Sequence, residues 1–265
     1  MQQAYLDALK VKISADSRIR AAWLEGSFGR GNADRYSDLD IHLLLAPGQW
    51  QTFQAEVQAW LSSIRPLVLF NLLFDGKMVN ALTSDGLRLD VWLHAGETMA
   101  VNPAKVQVLV QQENSLTFDK VESPKDPAVV AQTLERLIKE FWRCISLTPA
   151  VMGRQELIMG FVGLGIETNL LTEILINGYG VERDSGVKNL NRFLPGETRQ
   201  MLEQALSLQN LSQATLAQAH LALADIVKVQ GRFIAERHHF TYPVELEAAV
   251  LAYVDEELAR LDLSA

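Results

Sequence analysis

Cysteine is almost missing from this chain. Cys144 stands alone, so no internal disulfide can form and the composition suits a reducing compartment. Read structurally, it is a small buried hydrophobe. Basic charge is also scarce. Lys and Arg number 24 against 32 Asp and Glu, a formal net charge of −8. That balance speaks against a broad basic face for nucleic acid and suits a small, cationic partner better. Long uninterrupted apolar runs are lacking too: the most apolar segment, Leu157 to Ile176, is broken by Glu167, Asn169 and Glu173. We therefore expect no membrane span. Met1 to Lys10 is polar and has no apolar centre of the signal-peptide kind. There are no internal repeats and no low-complexity tracts. The expectation is a cytoplasmic protein with neither a membrane nor a nucleic-acid partner. The 265 residues, 48% of them hydrophobic, suffice for one large or two small domains with a sizeable core.

The apolar pattern changes character part-way along. The spacing predicts a short amphipathic helix over 2–13, strands over Ile19 to Glu25 and Asp38 to Leu45, and a helix over Gln49 to Ile64. Pro66 to Phe74 is apolar almost throughout and reads as a strand buried on both sides. Asp75-Gly76 and Asp85-Gly86 mark turns around a return strand, Met78 to Leu82, and a further strand covers Leu87 to His94. Val106 to Val110 reads as a strand at a sheet edge. Lys120 to Pro127, with two prolines and several charges, is a linker. Beyond it the spacing is helical: Ala128 to Ser146, Gln155 to Asn177, Gly196 to Leu206, Ser212 to Glu236 and Val244 to Leu261. Thr198 and Ser212 are candidate caps, and Gly178-Tyr179-Gly180 ends the second of these helices. The fold class expected is α+β: a mixed β-sheet domain with flanking helices over 1–120, then an all-α helical bundle over 121–265.

Chemistry concentrates in Glu25-Gly26-Ser27-Phe28-Gly29-Arg30 and Ser37-Asp38-Leu39-Asp40. Successive side chains alternate faces along a strand, so Asp38 and Asp40 point one way while Leu39, Ile41 and Leu43 face a core. Two carboxylates so close repel unless a cation neutralises them, and Mg²⁺ takes oxygen ligands. Glycines upstream leave backbone N–H groups open to phosphate. On the last strand Arg88, Asp90, Trp92 and His94 alternate with Leu87, Leu89, Val91 and Leu93, which sets Asp90 on a polar face. The competing account of Asp90 is an edge-strand acid in solvent or paired with Arg88.

Gly26-Ser27, Arg30-Gly31 and Asp38-Leu39-Asp40, with ten residues between Ser27 and Asp38, resemble the DNA polymerase β nucleotidyltransferase superfamily. The small sheet domain followed by a helical bundle resembles its aminoglycoside and lincosamide nucleotidyltransferases. The resemblance implies two Mg²⁺ ions held by Asp38, Asp40 and Asp90, with ATP or another NTP as co-substrate. It further implies Gly26 and Ser27 on the β- and γ-phosphates, Arg30 adding positive charge there, and Ser37 orienting the loop. The acceptor expected is a small hydroxylated molecule, an antibiotic among them, and a homodimer fits the resemblance. Asp90 is the expected general base, with Glu97 the alternative. Two other functions compete: adenylylation of a partner protein, as in antitoxin-type members, and a silent nucleotide-binding regulatory module.

Other residues carry weaker signals. Lys188, Asn191 and Arg192 could reach a triphosphate, as could Arg143 and Arg154, but solvated surface is the simpler account. His238-His239 lacks a carboxylate at ligand spacing. Trp92 shares a face with Asp90 and could flank the acceptor or the base, whereas Trp142 reads as core. Gly160, Gly163 and Gly165 lack the preceding strand of a dinucleotide site and read as close helix packing.

Overall fold

The computed structural model describes residues 1–119, 124–181 and 187–263, with no side-chain description for 187 and 188. It divides into two compact units, Met1–Ser123 and Pro124–Ala265. Part of the expected linker, 120–123, lies outside the described residues.

The first unit is built on a six-stranded mixed sheet. In chain order it contains α1 (Gln2–Ser14), β1 (Ile19–Leu24), α2 (Gly26–Gly29), β2 (Leu39–Leu45), α3 (Trp50–Ser62), β3 (Leu67–Leu73), β4 (Met78–Thr83) and β5 (Arg88–Ala95). There follow β6 (Met99–Ala100), β7 (Gln107–Gln111) and β8 (Leu116–Thr117). The sheet order is β3-β4-β5-β2-β1-β7, and β6 pairs separately with β8. Every neighbouring pair in the large sheet is antiparallel except β2 and β5, which run parallel. That parallel pair needs a crossover, and α3 with the β3–β4 hairpin supplies it.

One face of the sheet is dry. Leu39, Ile41, Leu43, Leu89, Val91 and Leu93 pack against Tyr5, Leu9 and Ile13 of α1 and Phe53, Val57 and Leu61 of α3. The alternation of β2 and β5 therefore sends their polar residues to the opposite face. There, Trp23 and Leu44 meet Val101 and Leu116 in a smaller apolar cluster.

Two expectations for this unit need correction. β3 is not buried on both sides: it is the sheet's edge, and Val68, Leu69, Leu72 and Leu73 are exposed. A continuous apolar run reports strand formation, but only pairing order reports whether a neighbour covers it. The glycine turn after β1 is likewise no open loop but a single helical turn, α2.

The second unit is all helical: α4 (Pro127–Ile145), α5 (Thr148–Gly153), α6 (Leu157–Gly178), a short 3₁₀ segment (Val187–Arg192), α7 (Gly196–Ala205), α8 (Gln213–Arg237) and α9 (Val244–Arg260). Asp126 caps α4, its side chain accepting from the Ala128 N–H at 2.8 Å. Ser212 and Thr215 form a reciprocal cap on α8. Thr198 is no cap; it lies inside α7, which starts after Pro195. Trp142, fully buried, donates to the Tyr242 hydroxyl at 3.0 Å. α6 has the length and apolarity to cross a membrane, but its Glu167 is buried in the bundle 2.6 Å from His220 Nδ1. Burial pushes the Glu167 carboxyl up, and His220 opposes the shift. Of Gly160, Gly163 and Gly165, close packing accounts for two: a Cβ at Gly160 would come 2.8 Å from Met152 Cε, and one at Gly163 3.3 Å from His220 Cε1. Gly165 has nothing within 4 Å, so packing does not explain it.

Candidate active site

The polar face of the sheet carries one level row of hydrogen-bonding side chains. Parallel register sets Asp40 of β2 directly beside Asp90 of β5, and side chains at paired positions share a face. Asp90 is in turn level with Asn80 of β4, and Asn80 with Asn71 of β3. On the other flank the Glu25 N–H donates to the Asp40 carbonyl at 3.0 Å, so Glu25 continues the row across the end of β1. Four adjacent strands and the residue that follows β1 thus present Asn71, Asn80, Asp90, Asp40 and Glu25 at one height.

Two contacts organise the row's middle. The Asn80 side-chain amide donates to Asp90 Oδ1 at 2.7 Å, which fixes that carboxylate's rotamer and occupies one of its oxygens. Asp38 lies just ahead of β2, with Arg88 Nε 4.0 Å from its Oδ2. Arg88 also donates to the Tyr36 carbonyl at 2.8 Å, tying the loop end to β5. Among the described residues, no three His, Cys, Asp or Glu side chains close on one point tightly enough to enclose an ion as they stand; Asp38 and Asp90 each have a neighbour of their own.

Gly26 has a specific reason to be glycine. Its φ is +60°, and a Cβ built on it would fall 1.8 Å from Asp40 Oδ2 and 2.8 Å from its Cγ. The first residue of the α2 turn therefore lies against the Asp40 carboxylate, in a space that any side chain would fill. α2 itself closes with the Gly29 N–H on the Glu25 carbonyl and the Asn32 N–H on the Ser27 carbonyl, both at 2.9 Å. Arg30 caps its end. Ser37 belongs to the next turn: its hydroxyl donates to Asp34 Oδ1 at 3.1 Å and accepts from the Asp34 N–H at 3.0 Å. The Gln2 side chain holds the Asp34 and Ser37 carbonyls at 2.9 and 2.8 Å.

One level deeper on the same face runs a stack of rings. His42 lies between Trp23, centroids 5.2 Å apart, and Trp92 at 6.2 Å. Phe74 stacks on Trp92 at 5.7 Å. His42 Nδ1 is 2.9 Å from His94 Nε2, and Trp23 Nε1 donates to Glu25 Oε1 at 3.1 Å.

The remaining candidates lie elsewhere. Glu97 is past the far end of β5, its side chain 72% exposed and 3.4 Å from Arg20, which separates it from the acid row. Arg143 is paired with Glu140 at 2.6 Å, and Arg154 is exposed at the end of α5. Asn191 and Arg192 are exposed in the second unit, and the Lys188 side chain is outside the described residues. His238 Nε2 lies 2.8 Å from the Gly178 carbonyl, a structural role. Glu25, Asn71 and Asn80 were not singled out from the sequence. Only strand register brings them level with the acids, although Glu25 abuts the glycine turn and Asn80 interrupts an apolar strand.

Comparison with known proteins agrees with the class of chemistry these residues suggest. A model of the streptomycin adenylyltransferase family matches residues 2–257. The chain belongs to that family and is thereby a nucleotidyltransferase, resembling the aminoglycoside nucleotidyltransferases. Its α+β fold, a mixed sheet followed by a helical region, agrees with that membership. Among solved structures, an aminoglycoside 6-adenyltransferase from Bacillus subtilis is similar over 96% of both chains, at 15% identity and a TM-score of 0.45. A nucleotidyltransferase-like protein from Exiguobacterium sibiricum 255-15 is similar over 99% of this chain and 92% of its own, at 10% identity and a TM-score of 0.38. No curated protein matches the chain.

Proposed function

We propose that this cytoplasmic enzyme transfers an NMP unit, AMP from ATP, to a hydroxyl of a small acceptor of the aminoglycoside or lincosamide type, releasing pyrophosphate. The observation that carries the reading is the in-register pairing of Asp40 with Asp90 beside Gly26, whose missing Cβ leaves the Asp40 carboxylate its place. Asp38, Asp40 and Asp90 each offer carboxylate oxygens, the donors Mg²⁺ takes; they are the residues that would hold the two ions. When bound, such a pair supplies charge stabilisation to the attacking and leaving oxygens of an in-line displacement.

The chain's own groups do the rest. The Gly26–Ser27 turn and Arg30 bind the β- and γ-phosphates, and Ser37 holds the loop that carries Asp38. Asp90, oriented by Asn80, takes the proton of the attacking hydroxyl as general base. The sheet domain, about 1–120, does the chemistry, and the helical part, about 121–265, selects the acceptor.

Asp40→Asn tests this. Removing an essential carboxylate costs several kcal/mol of transition-state stabilisation, at about 1.4 kcal/mol per tenfold in rate. Pyrophosphate release from Mg-ATP in the presence of streptomycin, and the mass gain of one nucleotide on the antibiotic, should both vanish while the circular dichroism spectrum and melting midpoint stay unchanged. Turnover within tenfold of wild type would overturn the assignment.

A further inference from the structure

We infer that the outward face of α6 is the contact between two copies of this chain, packed antiparallel about a two-fold axis with Val162 of each copy seated on the partner's Gly165. The surface belongs to the second unit, whereas the acid row belongs to the first.

α6 has the composition of a fully buried helix, yet only 33% of its most apolar stretch is buried. Ile158, Met159, Phe161, Val162 and Ile166 are between 46% and 74% exposed, and Leu211 is 50% exposed. A groove of about 320 Å³, lined by Phe161, Leu208, Asn210 and Leu211, joins the helix face to the chain that follows α7. Together the six exposed side chains present about 700 Å² of apolar surface, more than the few hundred Å² of an ordinary monomer patch. Each partner of a standard interface contributes about 800 Å². The face is therefore large enough to hold a stable dimer.

Gly165 is the second, independent indication. It lies in the middle of α6, where glycine is a destabilising choice. An added Cβ would meet nothing within 4 Å, so the chain's own packing gives no reason for it. Helical spacing puts Ile158, Val162 and Gly165 on one line at i, i+4 and i+7, with Phe161 on one flank and Met159 and Ile166 on the other. The missing side chain leaves a notch inside the apolar face, of the kind that admits a second helix closely. When two such faces cross antiparallel, with the axis between positions 163 and 164, Val162 of each copy meets the partner's Gly165. Ridge then enters notch twice, as an isologous contact requires.

A second copy is the occupant that the chemistry of the face favours. From Leu157 to Ile166 there is no charged side chain, so two copies bring no like charges together across the axis. The stripe from Ile158 to Ile166 rises about 12 Å, less than half of the roughly 30 Å of a bilayer core. A helix lying on a membrane surface carries Lys and Arg along its polar edge. Here Arg154 is the one basic residue near the stripe, against Glu156 and Glu173, and the chain's net charge is −8.

Sedimentation equilibrium of the full-length protein over a wide concentration range tests this. Wild type should associate reversibly from 29.5 kDa to twice that mass. Val162→Glu should stay monomeric. Gly165→Leu should weaken the dimer at least tenfold, about 1.4 kcal/mol. Its urea midpoint, measured at dilutions where both proteins are monomers, should match or exceed that of wild type, because leucine replaces a glycine inside a helix. Adding Val162→Ala to Gly165→Leu should recover the dimer, since large and small side chains then exchange places across the axis. A wild type of 29.5 kDa at every concentration would overturn the inference, as would a dimer within twofold of wild type in both single variants. No recovery in the double variant would overturn the seating of Val162 on Gly165. Wild-type monomer that floats with phosphatidylcholine–phosphatidylglycerol vesicles, and no longer does so as Val162→Glu, would make the face a lipid contact and overturn the dimer.

Discussion

Gly26→Ala and Gly31→Ala form a matched pair that separates backbone strain from damage to the acid row. Both glycines have φ in the left-handed region, +60° and +69°, so each alanine carries a conformational penalty of about 1–2 kcal/mol. Their surroundings differ. At Gly31 an added Cβ meets nothing within 4 Å, whereas at Gly26 it falls 1.8 Å from Asp40 Oδ2. An ordinary contact needs more than 3 Å, so the Asp40 carboxylate or the α2 turn must move by over 1 Å. A displacement of that size at a reacting centre costs about a hundredfold in rate. Thermal melts should therefore show comparable losses for the two variants, somewhat larger for Gly26→Ala. Binding of Mg²⁺ with a non-hydrolysable ATP analogue, followed by calorimetry, should be near normal in Gly31→Ala and weakened at least tenfold in Gly26→Ala. Pyrophosphate release should fall about a hundredfold in Gly26→Ala alone. Equal functional losses in the two variants, or a Gly26→Ala protein that binds and turns over normally, would refute the reasoning.

Two stability predictions concern regions away from the site. The Asp16 carboxylate accepts from Arg18 Nε and Nη2 at 2.9 and 2.8 Å and from Trp60 Nε1 at 3.0 Å, and the Arg18 hydrogen bonds hold its pKa below the ordinary 3.8. A lowered folded pKa means stability present above the unfolded value and lost as pH falls. Asp16→Asn should therefore cost about 2 kcal/mol at neutral pH, and the gap to wild type in urea melts should shrink as pH drops through 3.8; a gap constant from pH 7 to 3 would contradict this. Ser212→Ala removes the acceptor for the Thr215 N–H, 3.3 Å away, and should cost about 1 kcal/mol; an unchanged denaturation midpoint would show that this cap is idle.

Much of the architecture is legible in the pattern of apolar residues. Alternation over 39–45 and 87–94 places the acids opposite the leucines, because period two is a local property of an extended backbone. The helices after residue 127 are legible from their spacing, and Ser212 as a cap from its position before a helical run. The misreadings share a cause. Pro66 to Phe74 looks buried because it is apolar, but β3 is an edge strand. Thr198 looks like a cap, but the chain enters α7 at Gly196 after Pro195. Gly165 resembles Gly160 in sequence, yet no neighbour approaches it. Each depends on what comes from elsewhere in the chain.

The sequence by itself determined that this protein has strands carrying Asp40 and Asp90 on polar faces, with Asp38 just ahead of the first of them, a glycine turn between the first two strands, and a helical second half. These follow from interactions within about ten residues. The tertiary structure alone decided that β5 crosses to lie parallel to β2 with Asp90 level with Asp40. It also decided that Glu25, Asn80 and Asn71 extend that level across the sheet and that Phe74 lies over Trp92. Register between distant strands is a product of crossover handedness, bulges and packing of the opposite face against α1 and α3, none of which is written in any one segment.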